Sequence, residues 1–211
     1  MMIEASQPIQ ESQQRSLNFD EFLNHYGGDR RYELIDGTVC DLEPKGAHEE
    51  VAAFLTGKLC VQIDRLALPW LTFRQKLLRP VNTEMTAFRP DVAVVDRDEL
   101  IQEPLWSDQL ILTQGRSIKL VAEVVSGNWQ NDYARKVEDY AVLGIPEYWI
   151  VDYAGLGGMM YVGKPKRPTL SIASLVDGEY EIQQFRGDQA ISSKTFPALK
   201  LTAKQILQAG I

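Results

Sequence analysis

A chain of 211 residues that is 45% hydrophobic, 24% charged and 9% aromatic has the composition of a soluble globular protein, which excludes the disordered and fibrous classes. Two cysteines (Cys40, Cys60) and two histidines (His25, His48) exclude a disulfide framework, a thiolate zinc site and a multi-histidine metal cluster. With only two histidines, hydrolytic chemistry falls to carboxylates, lysine and a hard metal ion; a net charge of −7, from 22 basic and 29 acidic residues, argues against a sequence-blind coat on nucleic acid.

Residues 1–15 are polar and Gln-rich and are expected to form a flexible tail; residues 16–211 are expected to form one domain. The first seven residues lack a basic start and an apolar core, and no apolar run is long enough to span a bilayer, so a cytoplasmic protein without a membrane partner is expected. Ser16 or Asn18 caps a short helix carrying Phe19, Phe22, Leu23 and Tyr26, ended by Gly27-Gly28. Asp36-Gly37 between two β-prone runs is a hairpin signal. Val51, Ala52, Leu55, Leu59, Ile63 and Leu66 repeat at the spacing of an amphipathic helix over 48–66. Residues 71–81 alternate loosely and read as a strand.

Two short apolar runs follow. Residues 90–96 form a strand opened by Pro90, a position a strand tolerates. Residues 119–126 are nearly all apolar, as in a central strand covered on both faces. The stretch 97–117 between them reads as surface loop with a turn of helix. Residues 132–143 form a helix stopped by Gly144 and Pro146, and 147–152 a buried strand. Gly157-Gly158, Asp177-Gly178 and Gly187-Asp188 mark turns in a hairpin-rich remainder, and 202–209 closes the chain as a helix. This order predicts an α/β fold with a mixed β-sheet.

Three residues draw the chemistry. Asp91 opens an apolar strand, either as a strand-end carboxylate facing solvent or as a site residue. Glu123 sits inside Leu120-Val121-Ala122-Glu123-Val124-Val125, where a carboxylate must be paired in a salt bridge, bound to metal or placed at a cleft. On a helical wheel at about 100° per residue, Lys136 falls at the margin of the stripe of Tyr133, Val137, Tyr140, Ala141 and Leu143. A lysine there either snorkels to solvent or points at a charge. Together, two carboxylates can hold Mg²⁺, which keeps several waters and uses substrate phosphate oxygens. The metal lowers the pKa of a bound water and neutralises phosphate charge. A neighbouring lysine orients or deprotonates that water, or stabilises developing charge.

The run Arg89-Pro90-Asp91-Val92-Ala93-Val94-Val95, the run Leu120 to Ser126, Asp132 and Lys136 ahead of Tyr140, and the run Gly144 to Asp152 follow one another in an order and spacing that resembles the Uma family of bacterial restriction-endonuclease-like proteins. Tyr32-Glu33-Leu34-Ile35-Asp36-Gly37 is similar to that family's N-terminal hairpin. The resemblance implies a PD-(D/E)XK nuclease fold: a restriction-endonuclease-like mixed β-sheet flanked by helices, with extra β-hairpins. It implies Asp91 and Glu123 as ligands of Mg²⁺ or Mn²⁺, with the backbone carbonyl of Val125 as a further ligand. The general pattern places its lysine two residues after the glutamate, where this chain has Val125; in the family it has moved to the following helix, where Lys136 stands. Asp132, one turn before Lys136 on the same face, would hold the amine.

Glu33 is a supporting acidic residue by the same resemblance, or an exposed strand residue. The helix start His48-Glu49-Glu50 is a further supporting candidate, or, as expected for His48, a helix N-terminus with no ligand role. Trp129 either stacks on a base or covers the sheet edge. Arg74, Lys76, Arg79 and Arg89 form a phosphate-facing edge or a solvated strand face. The function implied is a metal-dependent endonuclease acting on DNA as a homodimer. The alternatives are a nuclease fold that no longer cuts and serves as a DNA-binding or protein-interaction module, and a hydrolase of small phosphoesters.

Overall fold

Asn18 opens the first helix through a reciprocal cap: its side chain accepts from the Glu21 N–H, and the Glu21 carboxylate accepts from the Asn18 N–H. In this computed structural model, which describes residues 15–42, 46–80 and 83–210, helix α1 spans Phe19–Tyr26. Residues 1–14 of the expected tail lie outside the described residues. Strands β1 (Tyr32–Ile35) and β2 (Thr38–Asp41) form the expected hairpin. Asp36 and Gly37 both take positive φ, +48° and +80°, as the tight turn requires. Phe19, Phe22 and Leu34 join Leu77, Ala87 and Ile111 in a small apolar cluster that seats α1 on the hairpin.

Helix α2 (Gly46–Arg65) covers one face of a six-stranded sheet. The strands are β3 (Trp70–Phe73), β5 (Val92–Asp96), β7 (Ile118–Val124), β8 (Glu147–Asp152), β9 (Thr169–Val176) and β10 (Glu179–Phe185), in spatial order β10-β9-β8-β7-β5-β3. Only β7 and β8 run parallel; every other neighbouring pair is antiparallel. Val51, Ala52, Leu55 and Leu59 of α2 pack on Val92, Val94, Leu120 and Ala122, and the closing helix α7 (Ala203–Leu207) completes that layer. The alternate residues Ala93, Val95, Val121 and Ile150 face the other way, onto helix α5 (Lys136–Val142). The period-2 alternation of β7 therefore sends Val121 and Glu123 to the α5 side. Each fully buried large aliphatic chain contributes roughly 1.5–3 kcal/mol by leaving water, so the two layers fix the sheet and with it the residues at its edge.

Three expectations are corrected. The stretch 71–81 is not one strand. Gln75 takes φ +54°, which breaks it into β3 and the short β4 (Leu77–Leu78); Val81 lies outside the described residues. The stretch 97–117 holds more than the expected loop with a turn of helix. It holds α3 (Arg97–Leu100), α4 (Trp106–Gln109), β6 (Ile111–Leu112) and a tight turn at Gly115–Ser117, and β6 pairs with β4 in parallel. The buried Glu103 carboxylate organises it, accepting from Thr113 N and Oγ1, Gln114 N and Ser117 Oγ. Gly157-Gly158 leads into helix α6 (Met159–Val162), not a strand. Asp177-Gly178 does close the β9–β10 hairpin. Among the described residues no helix is long and apolar enough to cross a membrane.

Candidate active site

Asp91 precedes β5 and Glu123 sits near the end of β7. The antiparallel register, Val92 opposite Ala122, brings them to one edge of the sheet. Each is held by the other's strand: the Val124 N–H donates to Asp91 Oδ2 at 2.7 Å, and the Asp91 N–H donates to Glu123 Oε2 at 3.4 Å.

Lys136 arrives from the opposite side of the cleft. Residues Asn131–Arg135 form one wide turn of π-helix, in which the Lys136 N–H donates to the Asn131 carbonyl. Such turns commonly occur at functional sites. The Tyr148 hydroxyl donates to the Asp132 carbonyl at 2.9 Å and anchors the turn to β8. The ammonium lies 3.0 Å from Glu123 Oε1, 3.2 Å from Asp132 Oδ1 and 3.5 Å from Glu33 Oε2. Tyr140 donates its hydroxyl to Glu123 Oε1 at 2.7 Å. From the first turn of α2, His48 Nε2 comes within 3.2 Å of Asp91 Oδ2. Glu33, His48, Asp91, Glu123, Asp132 and Lys136 are each at most 7% exposed.

Among the described residues, four buried carboxylates thus face one ammonium and one imidazole. Burial pushes the Glu123 carboxyl up to about 8, and Asp91, Asp132 and Glu33 push the same way while Lys136 opposes them. Burial likewise lifts Asp132 to about 6, against Lys136. Burial alone would lower Lys136, but Glu123, Glu33 and Asp132 outweigh it and hold the amine well above its ordinary range. His48 is raised too: burial opposes its charge, and the hydrogen bond to Asp91 wins.

With all six ionised these groups carry two surplus negative charges, one of them offset by the buried Arg89 guanidinium that also lines the cleft, so the cleft as a whole stays negative and attracts a cation. The donors are hard oxygens, which suit Mg²⁺ or Mn²⁺. Among the described residues, no three histidine, cysteine or acidic side chains form a metal-holding group. Asp91 and Glu123 would supply two ligands, leaving the rest to waters and phosphate oxygens, the usual habit of Mg²⁺. The cavity between them is about 20 Å³. That admits about one water-sized group, so a nucleotide could present only its phosphate at the mouth.

The structure brings Asp91, Glu123, Lys136, Asp132 and Glu33 together; Glu33 is buried, not exposed. Val125 follows the last residue of β7, its N–H donates to the Val151 carbonyl of β8, and it is not among the residues lining the cleft. Val124, whose N–H points at Asp91, lines the cleft instead. The sequence reading placed His48 at a helix start without its contact to Asp91. The signal was its phase: 48, 51, 52 and 55 share one helical stripe, so His48 had to face the sheet.

Three of the four basic residues of this stretch, Arg74, Arg79 and Arg89, are engaged within the fold. Arg89 is buried and donates to the carbonyls of Tyr32, Gln75 and Gly27; burial pulls it down to about 10. Arg74 pairs with Glu49 at 2.7 Å, and Arg79 lies over the Phe19 ring. Trp129 packs edge-on to Tyr133 and Tyr161 as a cover.

A family model described as "Uma2: Putative restriction endonuclease" matches residues 19–204. Among solved structures, the chain is similar to a "putative nuclease belonging to DUF820" from Anabaena variabilis ATCC 29413, with 15% identity, a TM-score of 0.70 and coverage of 92% of this chain and 99% of that one. At that identity the likeness is one of fold. No curated protein matches the chain.

Proposed function

The chain belongs to the Uma2 family of restriction-endonuclease-like proteins, and from that premise we propose that it hydrolyses phosphodiester bonds in DNA with the help of Mg²⁺ or Mn²⁺. The observation that supports this reading is the convergence of Asp91, Glu123 and the Lys136 ammonium in one buried cleft. Asp91 and Glu123 would hold the cation. Bound there, it would supply charge neutralisation for the phosphate and a more acidic water.

This chain's own residues do the positioning. Val124 and His48 fix Asp91; Tyr140 fixes Glu123. Asp132 and Glu33 hold the Lys136 ammonium beside Glu123, where it orients the attacking water or meets charge developing on the phosphate. A homodimer would present two such clefts to opposite strands.

Nicking of supercoiled plasmid in Mg²⁺ or Mn²⁺ tests the reading. Wild type should cut, and Lys136→Ala and Asp91→Asn should each cut at least ~100-fold more slowly. Equal cutting by all three would place the chemistry elsewhere. DNA binding without cutting by any of them would favour the non-cutting module, and sedimentation of the same samples reads the dimer.

A further inference from the structure

Three hollows adjoin along the sheet edge that carries Asp91 and Glu123. The cleft shares His48, Ser126 and Asn128 with a second hollow of about 480 Å³. That hollow shares Tyr153 with a third, of about 590 Å³. Topology explains the alignment. β7 and β8 run parallel, β9 antiparallel to β8 and β10 antiparallel to β9. The ends of β7, β8 and β10 and the start of β9 therefore share one edge. From β7 to β10 is three strand spacings, roughly 14 Å. That is the rise of about four stacked nucleotides of one DNA strand.

The third hollow differs in charge from the chain as a whole. Arg167, Arg186 and Lys204 line it against one acid, Asp188, in a protein whose net charge is −7. Arg186 is oriented by the fold: its Nε donates to Thr169 Oγ1 at 2.9 Å and its Nη2 to Gln184 Oε1 at 2.8 Å. Arg167 and Lys204 are exposed. Lys204 lies 3.7 Å from Asp188, with side chains 51% and 84% exposed, so this pair is weak and yields readily to a phosphate. Tyr153 and Leu207 add apolar surface for sugar or base.

We propose that the trench is the track of a DNA strand, with Arg167, Arg186 and Lys204 gripping its backbone about four nucleotides from the phosphate presented to the cleft. This rests on the nuclease reading above. A guanidinium fork suits phosphate oxygens, and the grip is blind to base sequence. Affinity should therefore rise with oligonucleotide length until the strand reaches the third hollow.

The test is the double variant Arg167→Ala/Lys204→Ala, which leaves the Arg186 bonds intact. Anisotropy of a fluorescein-labelled strand of about 12 nucleotides, three times the reach of the trench, is read with Ca²⁺ in place of Mg²⁺ across a salt series. The double variant should bind at least ~10-fold more weakly, with a salt slope shallower by about 1.5. Its rate on a dinucleotide, too short to reach the hollow, should equal that of wild type. Equal affinity and slope in both proteins would overturn the track while leaving the nuclease reading standing. Wild type that neither binds nor cuts any oligonucleotide would overturn both.

Discussion

The Val124 N–H donates to Asp91 Oδ2 at 2.7 Å, so the neighbour of one acidic residue holds the other in place. An asparagine at 91 can keep that bond through its amide oxygen while losing the charge a cation needs. Asp91→Asn should therefore melt within a few degrees of wild type, because one retained bond is worth about 1 kcal/mol. In calorimetric titration it should lose at least ~10-fold in Mn²⁺ affinity. Unchanged affinity would remove Asp91 from the metal site.

Lys136 shares its ammonium among Glu33, Glu123 and Asp132. Replacing it with methionine keeps much of the volume and leaves three buried carboxylates uncompensated. Lys136→Met should cost about 3–5 kcal/mol in urea unfolding at pH 8. The cost should shrink toward pH 5, as Glu123 and Asp132 bind protons. A loss independent of pH would mean that packing, not charge, is what the lysine supplies.

Glu123 is held near 8, far above its ordinary 4.5. Its folded-state pKa is raised, so its contribution to stability is full below about 4.5 and is lost as pH rises through about 8. Metal-free wild type should therefore lose on the order of 2–4 kcal/mol between these limits. Glu123→Gln should flatten this and exceed wild type in melting temperature at pH 8, while losing Mn²⁺ binding. A Glu123→Gln protein that melts lower than wild type at pH 8 would refute the charge surplus.

His48 offers a direct probe. In a His25→Gln background it is the sole imidazole of the chain, and its ring proton resonance should titrate above 6.5. The stability it adds is present below 6.5 and lost as pH rises through the folded value. Adding Asp91→Asn removes the partner and leaves burial dominant, so the midpoint should fall below 6.5. A midpoint that does not move would mean that His48 and Asp91 do not interact.

Much of this geometry was legible in the sequence, for identifiable reasons. Asp36-Gly37 specified its hairpin because few other pairs accept two positive φ values in a row. Glu123 stood out because a carboxylate in an apolar run demands an explanation, and Lys136 because the wheel put it at the margin of the stripe. What escaped depends on long-range pairing or on one-residue phase. The β4–β6 pair joins Leu77 to Ile111 and Leu78 to Leu112, two residues a side, too short to leave a period. Gln75 turns the chain without glycine or proline to announce it. Val124 and Val125 are indistinguishable in sequence; only the neighbouring strands decide which of them faces Asp91.

The wide turn at Asn131–Arg135 carries one residue more than an ordinary turn. Deleting a single residue there would restore the ordinary period and swing the preceding side chains by about 100° around the helix. Asp132 would then leave the ammonium while Tyr140 stayed seated in the core. A one-codon change in length at this point would thus exchange the groups facing the cleft without disturbing the sheet, which makes the turn a place where descendants of this chain could gain or lose chemistry in one step.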